Sequence, residues 1–456
     1  MKKSGYEMDM CTGSLWKKIL VFSVPLMFSN VLQILFNMAD VAVVGKFAGP
    51  KSLGAVGSTS ILIALTTGIM LGMSSGVNAI AALHIGANEE EKVRKTVHTS
   101  ILICFFLGVM ILIAGLLGSR SVLLLMNTKD ELIEGAVLYL KIYLLGSPAL
   151  ALYNYGNAIL SAVGDTRRPL MYLCIAGVIN VILNLFFVIV LRMDVLGVAL
   201  ASIISQYISA FLVLRCLMRR REAYGLRISQ IRLNREIAMR VLHIGVPSAV
   251  QYSLFMVANL FVQTAVNSFD HVVVEGNAAA LNADNLVYEM MAAFYTACTS
   301  FIAQNYGAGQ KKRILQTYGI TTLYAFSLAA VLGGLLVLFR VSFLSLFTSD
   351  SQVIQYGGIR MVIMGLSYSV SAFMDNAVSA ARGIGKSVIP TILVISGTLV
   401  FRLVWIYTIF AWFHTLESLY LLYIFAWIFT ALVENLYLFF QFRKIQFIKN
   451  QQIGWQ

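Results

Sequence analysis

Charge is what this sequence has least of. Only 12% of its 456 residues are Asp, Glu, Lys or Arg, about half the ~25% of a typical soluble chain. So few charges cannot cover the surface of a globular protein of this length. A large extramembrane domain is therefore excluded, as are disordered and fibrous classes. Cysteine is sparse too: Cys11, Cys104, Cys174, Cys216 and Cys298 are scattered, with no CxxC and no metal-ligand spacing, which gives no disulfide framework and no zinc site. HExxH, GxSxG and the kinase motif set are also missing. Gly383-Ile384-Gly385-Lys386-Ser387 looks like the tail of a phosphate-binding loop, but Ala380 stands where the first glycine is required. No enzyme activity is expected and no cofactor, and no nucleotide site is present that could drive any uphill process.

What the chain has is apolar length: 59% hydrophobic residues and a mean hydropathy of +0.80. A membrane-spanning helix needs about 20 apolar residues. Runs near 19–45, 55–85, 97–118, 133–160, 169–191, 195–216, 239–267, 278–305, 316–339, 353–380, 388–411 and 419–441 predict twelve spans. The expectation is an all-α polytopic membrane protein. The first run starts near Ile19, is long and lacks a small-residue cleavage site, so it reads as a retained span and not a signal peptide.

The net charge of +13 could suggest nucleic acid, but its distribution points elsewhere. With the N-terminus taken as cytoplasmic, the inside segments hold 25 Lys and Arg and the outside loops hold 6. Such a bias predicts both termini in the cytoplasm, and no nucleic-acid partner.

The two halves repeat. Pro25 and Pro247 are 222 residues apart, as are Asn37 and Asn259; Gly86-Ala87 and Gly307-Ala308, Gly164 and Gly385, and Pro169 and Pro390 are 221 apart. Six spans per repeat give the halves the same orientation, a parallel internal repeat about an axis along the membrane normal, which is a transporter architecture. The expected organisation is a lobe over 16–217 (spans 1–6), a basic linker over 218–236 carrying Arg219-Arg220-Arg221, and a lobe over 237–442 (spans 7–12).

Ionisable residues within spans are costly and mark functional sites by default. Asp40 lies in the first span with Asn37 and Gln33 at i−3 and i−7, on one helix face. Asn180 and Asn184 share a face of the fifth span, Asn154, Tyr155 and Asn157 lie on the fourth, and Ser202, Ser205 and Gln206 lie on the sixth. These groups suit a hard cation such as Na⁺ near Asp40, or else a buried carboxylate that carries a proton.

The second half has Val262 where Asp40 would repeat, but it carries Asp284, Glu289, Arg360, Asp375 and Arg402 within spans. Asp284 is expected to be solvated near a span end. Asp375 and Arg402 are either a structural pair or, with Glu289, part of a second site. Lys141 and Glu434 read as residues near span ends that snorkel or are solvated. Met256, Met290 and Met291 are candidates for an adaptable pocket lining.

Taken together, Val24-Pro25, Asn37-Met38-Ala39-Asp40, Val44-Gly45, Ala55-Val56-Gly57, Gly86-Ala87, Gly164-Asp165-Thr166-Arg167-Arg168-Pro169, Gly245-Val246-Pro247, Gln304-Asn305-Tyr306-Gly307-Ala308 and Arg382-Gly383-Ile384-Gly385-Lys386-Ser387 resemble the MATE (multidrug and toxic compound extrusion) family of bacterial type, across nearly the whole chain. The resemblance implies two six-helix lobes forming a V around a central cavity. It also implies export of amphiphilic, often cationic drugs or toxic compounds by antiport against H⁺ or Na⁺, with no other cofactor. It maps the coupling acid onto Asp40 and its polar neighbours onto Asn157, Asn180 and Asn184. Gln33, Asn37, Tyr155, Ser202, Gln206, Met256 and Met290 are the candidate cavity residues. Two departures matter. Asn184 stands where a second acid is common, and Phe255 and Ser371 stand where another branch has acids. Both departures favour H⁺ over Na⁺. A monomer is expected in the bilayer. The alternative is a lipid-linked saccharide flippase of the same superfamily, which would need several cations in its cavity; the spans contain only Lys141, Arg360 and Arg402.

Overall fold

The computed structural model describes residues 6–445, which are mostly helical with no strand among them. In chain order the helices are α1 (Leu15–Val43), α2 (Gly49–Gly86), α3 (Glu90–Leu125), α4 (Asp130–Leu145), α5 (Ser147–Ala162), α6 (Arg167–Leu185), α7 (Asp194–Met218), α8 (Arg235–Val266), α9 (His271–Gly307), α10 (Lys311–Leu338), α11 (Arg340–Leu344), α12 (Ser351–Gly383), α13 (Val388–Ile395), α14 (Phe401–Trp405), α15 (Ala411–Phe413) and α16 (Leu416–Lys444). Four π-helical turns interrupt or extend them: Val44–Ala48, Phe186–Val190, Ser396–Val400 and Ile406–Phe410.

Three details convert these helices into twelve crossings. The stretch Leu15–Gly86 is near-continuous helix, but 72 residues at about 1.5 Å each far exceed a hydrocarbon core of about 30 Å. It breaks at Gly49, whose φ of +87° is open to glycine and costly for other residues, with Pro50 opening α2. The pair α4 and α5 bends by 45° at Gly146, with Pro148 placed in the first turn of α5, where a missing N–H costs nothing. The eleventh crossing, Val388–Phe413, is assembled from α13, α14 and α15 with π-helical turns between them.

The chain divides into two compact units, and each is discontinuous. Among the described residues, the first contains 6–9 and Phe28–Ala249; the second contains Met10–Met27 and 250–445. Thus α1 changes unit just after Pro25, and α8 just after Pro247. In the first unit, the start of α8 packs on α2 because Gly72 and Gly76 have no Cβ where the backbone of Val241, Gly245 and Ser248–Ala249 passes. In the second unit, the start of α1 packs on α9 and α10, with Phe22 edge-on to Phe301 at 5.6 Å and Trp16 edge-on to Tyr324 at 5.4 Å.

Each unit has its own apolar core. In the first, Val44, Ala55, Leu123, Ala136, Leu140, Val188 and Val198 meet. In the second, Cys298, Ile302, Ile314, Ala377, Ala380 and Leu438 join α9, α10, α12 and α16. Glycine pairs bring helix backbones close, as in Gly276–Gly357 and Gly333–Gly365, the small-residue packing used where lipid supplies no hydrophobic drive between helices. Polar clasps fix the non-helical segments. Arg313 donates to the carbonyls of Met10, Thr12 and Gly13 at 2.9, 3.2 and 2.9 Å and to Asn305 at 3.0 Å. Tyr224 donates to Glu7, and burial together with that acceptor raises the phenol above its ordinary pKa. In the α5–α6 turn, burial pushes the Asp165 carboxyl up, opposed by Arg168 at 2.8 Å.

Candidate functional site

The first unit places Asp40 at the meeting point of three spans. Asn184 of α6 donates its side-chain N–H to Asp40 Oδ1, and Ser202 of α7 donates its hydroxyl to Oδ2 at 3.3 Å. The Asn184 amide also reaches Asn180 Oδ1 at 3.2 Å, one turn earlier on the same face. No cation pairs with Asp40 among the described residues. The approach of α1 to α6 depends on Gly177, because the Phe36 ring occupies the place of its missing Cβ. Tyr139 and Tyr143 of α4 lie near enough to interact electrostatically with the carboxylate.

Asn184 Oδ1 is buried without a hydrogen-bond partner. The Asp40 carboxylate, Asn180 Oδ1 and Ser202 Oγ are the oxygens gathered around the Asn184 amide, and oxygens of this kind are what a small cation would use. A carboxylate that accepts two neutral hydrogen bonds can equally exchange a proton, because either form finds a partner by turning the Asn184 amide.

Among the described residues, none of the other candidates is hydrogen-bonded to Asp40. The hydroxyl of Tyr155 is turned toward α3, donating to the Val97 carbonyl at 2.9 Å, and the residue is fully buried. Asn157 accepts from Ser161 at 3.4 Å. Gln33 and Asn37 are exposed along α1. The Gln206 carboxamide packs where Gly146 has no side chain. Met256 and Met290 are half-buried on α8 and α9.

The second unit holds a charged cluster that sequence spacing did not disclose. Arg360 of α12 donates Nε–H to Asp284 Oδ2 of α9 at 3.1 Å. It also donates Nη2–H to the same oxygen, and Nη1–H to Asn277 Oδ1 at 2.9 Å. Tyr368 donates to the other Asp284 oxygen. Asp284 is thus not solvated near a span end as expected: its side chain is 14% exposed, held inside by its ion pair. No signal could have linked these residues, since they lie 76 positions apart on separate spans.

Arg402 does not pair with Asp375. Its Nη1–H goes to Asn259 Oδ1 at 2.9 Å, and its guanidinium lies over Tyr423 at 4.6 Å and Phe255 at 5.2 Å. Asp375 is approached instead by the Tyr295 hydroxyl, and Glu289 is half-buried on α9. Glu434 is also corrected: it is fully buried, since its place on α16 faces the packed helices and offers no route to a span end.

The architecture matches known transporters. A MatE family sequence model matches residues 25–186 and 247–408, two stretches that begin at Pro25 and Pro247. The chain is 28% identical over 306 residues to the probable multidrug resistance protein YpnP of Bacillus subtilis, covering 67% of this chain and 68% of that protein. It is 24% identical over 359 residues to the FAD transporter of Shewanella oneidensis, covering 77% and 78%. The solved structure of a MOP superfamily transporter from Pyrococcus furiosus, 24% identical, superposes with a TM-score of 0.91 over 97% of this chain and 99% of that one. With the repeat, the twelve crossings and both halves matched, the chain belongs to the MATE family of multi-pass membrane transporters.

Proposed function

We propose that the chain is a secondary antiporter that exports amphiphilic organic compounds, cations among them, in exchange for protons, with Asp40 as the proton-carrying group. The observation that carries this reading is the composition of the Asp40 cluster: one carboxylate, two neutral donors from α6 and α7, and no second acid. A Na⁺ site of high affinity gains from a second negative ligand, which Asn184 withholds. Taking up a proton replaces the carboxylate acceptor with an O–H donor, and Asn184 Oδ1, unpartnered here, is the acceptor at hand.

The mechanism follows from that exchange. Protonation of Asp40 from outside removes its charge and rearranges its bonds to α6 and α7. Helix α1 lacks one backbone hydrogen bond at Pro25, so it bends there and expels the bound compound. Compound and proton compete through this one helix, and their coupling is reciprocal. The basic linker and the charge bias support a reading with both termini in the cytoplasm of a bacterial inner membrane, and we propose a monomer as the transporting unit. The flippase reading needs several free cations, and Asp284 neutralises one of the three within spans.

The test is efflux of ethidium from proteoliposomes energised by either a pH gradient or a Na⁺ gradient. Drive by the pH gradient, lost in Asp40→Asn, supports the reading. Drive by Na⁺ that survives in Asp40→Asn overturns it.

A further inference from the structure

Arg360 and Arg402 present the same hydrogen-bonding pattern with one difference. Each donates Nη1–H to an asparagine carbonyl at 2.9 Å, Asn277 for Arg360 and Asn259 for Arg402. Each also lies over the ring of Tyr423, at 5.2 and 4.6 Å. The Nε–Nη2 edge of Arg360 is filled by Asp284. The same edge of Arg402 is empty: Nε and Nη2 are both buried and without a hydrogen-bond partner.

The cluster therefore holds two guanidinium groups and one carboxylate. Arg402 is fully buried, and among the described residues it forms no ion pair. An uncompensated charge inside a membrane helix is expensive and marks a ligand or ion pathway, and unmade hydrogen bonds add to the cost. The aromatic faces of Tyr423 and Phe255 offset part of it but accept no hydrogen bond in the guanidinium plane. The free edge is the planar fork that matches two oxygens of a carboxylate or phosphate, and in this same unit the corresponding edge of Arg360 is filled by a carboxylate through one oxygen.

We infer that the Nε–Nη2 edge of Arg402 is a binding site for an oxyanion, a carboxylate or phosphoryl group supplied by a ligand. The backbone around it is irregular: Arg402 sits in the five-residue α14 with the π-helical turns Ser396–Val400 and Ile406–Phe410 on either side, and such turns are frequent at functional sites. The inference rests on the export reading for its first source, an acidic or zwitterionic amphiphile in transit; the second source of the same chemistry is an anionic lipid headgroup.

The experiment measures binding with no gradient imposed, so it fails or succeeds independently of proton coupling. Rhodamine B, which carries a free carboxylate, and its ethyl ester, which does not, are titrated onto the full chain in phosphatidylcholine nanodiscs by fluorescence anisotropy. The wild type is expected to bind the acid about tenfold tighter than the ester, the order of a bidentate charged contact. Arg402→Gln removes that preference and leaves ester binding within about twofold, which also shows that the variant is folded. Arg402→Lys keeps the charge without the fork and retains about threefold. Phosphatidylglycerol in the nanodisc that displaces the acid only when Arg402 is present assigns the oxyanion to lipid; failure to displace it assigns the oxyanion to the transported compound. Equal binding of both dyes to the wild type, binding of neither, or a preference that persists in Arg402→Gln overturns the inference.

Discussion

Asn184 donates its side-chain amide to Asp40 across the first and fifth spans, while its own carbonyl oxygen has no partner. One side chain thus offers the Asp40 carboxyl a donor and carries a free acceptor as well. The proposed proton coupling rests on this amide standing where the family resemblance implies a second acid.

Asn184→Asp restores a second carboxylate beside Asp40. Two acids in contact disfavour double ionisation, so the pair holds a proton to higher pH. The midpoint of the pH dependence of ethidium efflux is expected to move up by about one unit, with Na⁺-driven efflux appearing. A pH profile in proteoliposomes checks this; an unchanged midpoint contradicts it.

The Asp284–Arg360 pair makes a stability prediction. Asp284→Ala leaves a second guanidinium buried without its partner, which costs about 3–5 kcal/mol. Asp284→Ala combined with Arg360→Met removes both charges and recovers most of the loss. Thermal unfolding of the detergent-solubilised protein separates the two variants, and an equally unstable double variant rules out the charge argument.

Gly177 admits the Phe36 ring, so Gly177→Ala forces α1 away from α6 at a cost of about 1–3 kcal/mol. Phe36→Leu in the same chain relieves the clash. A double-mutant cycle on melting temperature is expected to show coupling between the two sites; additive effects mean that they do not touch.

Arg313 fastens the segment preceding α1 through three carbonyls. Arg313→Ala removes charge-assisted hydrogen bonds worth about 1.5–3 kcal/mol each in favourable settings. Backbone amides near residues 10–14 are expected to exchange faster in deuterated buffer, with α12 amides unchanged as the internal control.

The spans were legible because each apolar run is long enough to cross a bilayer and leaves few other folds. The repeat was legible because prolines and glycines recur at a fixed offset, and the matched stretches start at those same prolines. Asp40 stood out as a lone acid in an apolar run, and its Asn180–Asn184 partner face followed from the helical period. What stayed hidden depends on contacts between distant spans. Nothing in the local sequence tells Asp284 that Arg360 lies opposite, or that Asn259, the repeat of Asn37, accepts from Arg402. The π-helical turns were also invisible, since their residues are as apolar as their neighbours. Glu434 misled by position: nearness to a span end suggested solvent, whereas its face of α16 is turned inward.

The central claim is that Asp40 releases a proton when the exported compound binds. Its most direct test is proton release from the purified protein in weakly buffered detergent, followed with a pH-sensitive dye as ethidium is added. The account predicts release of about one proton per bound ethidium in the wild type and none in Asp40→Asn. Undiminished release from Asp40→Asn would contradict it.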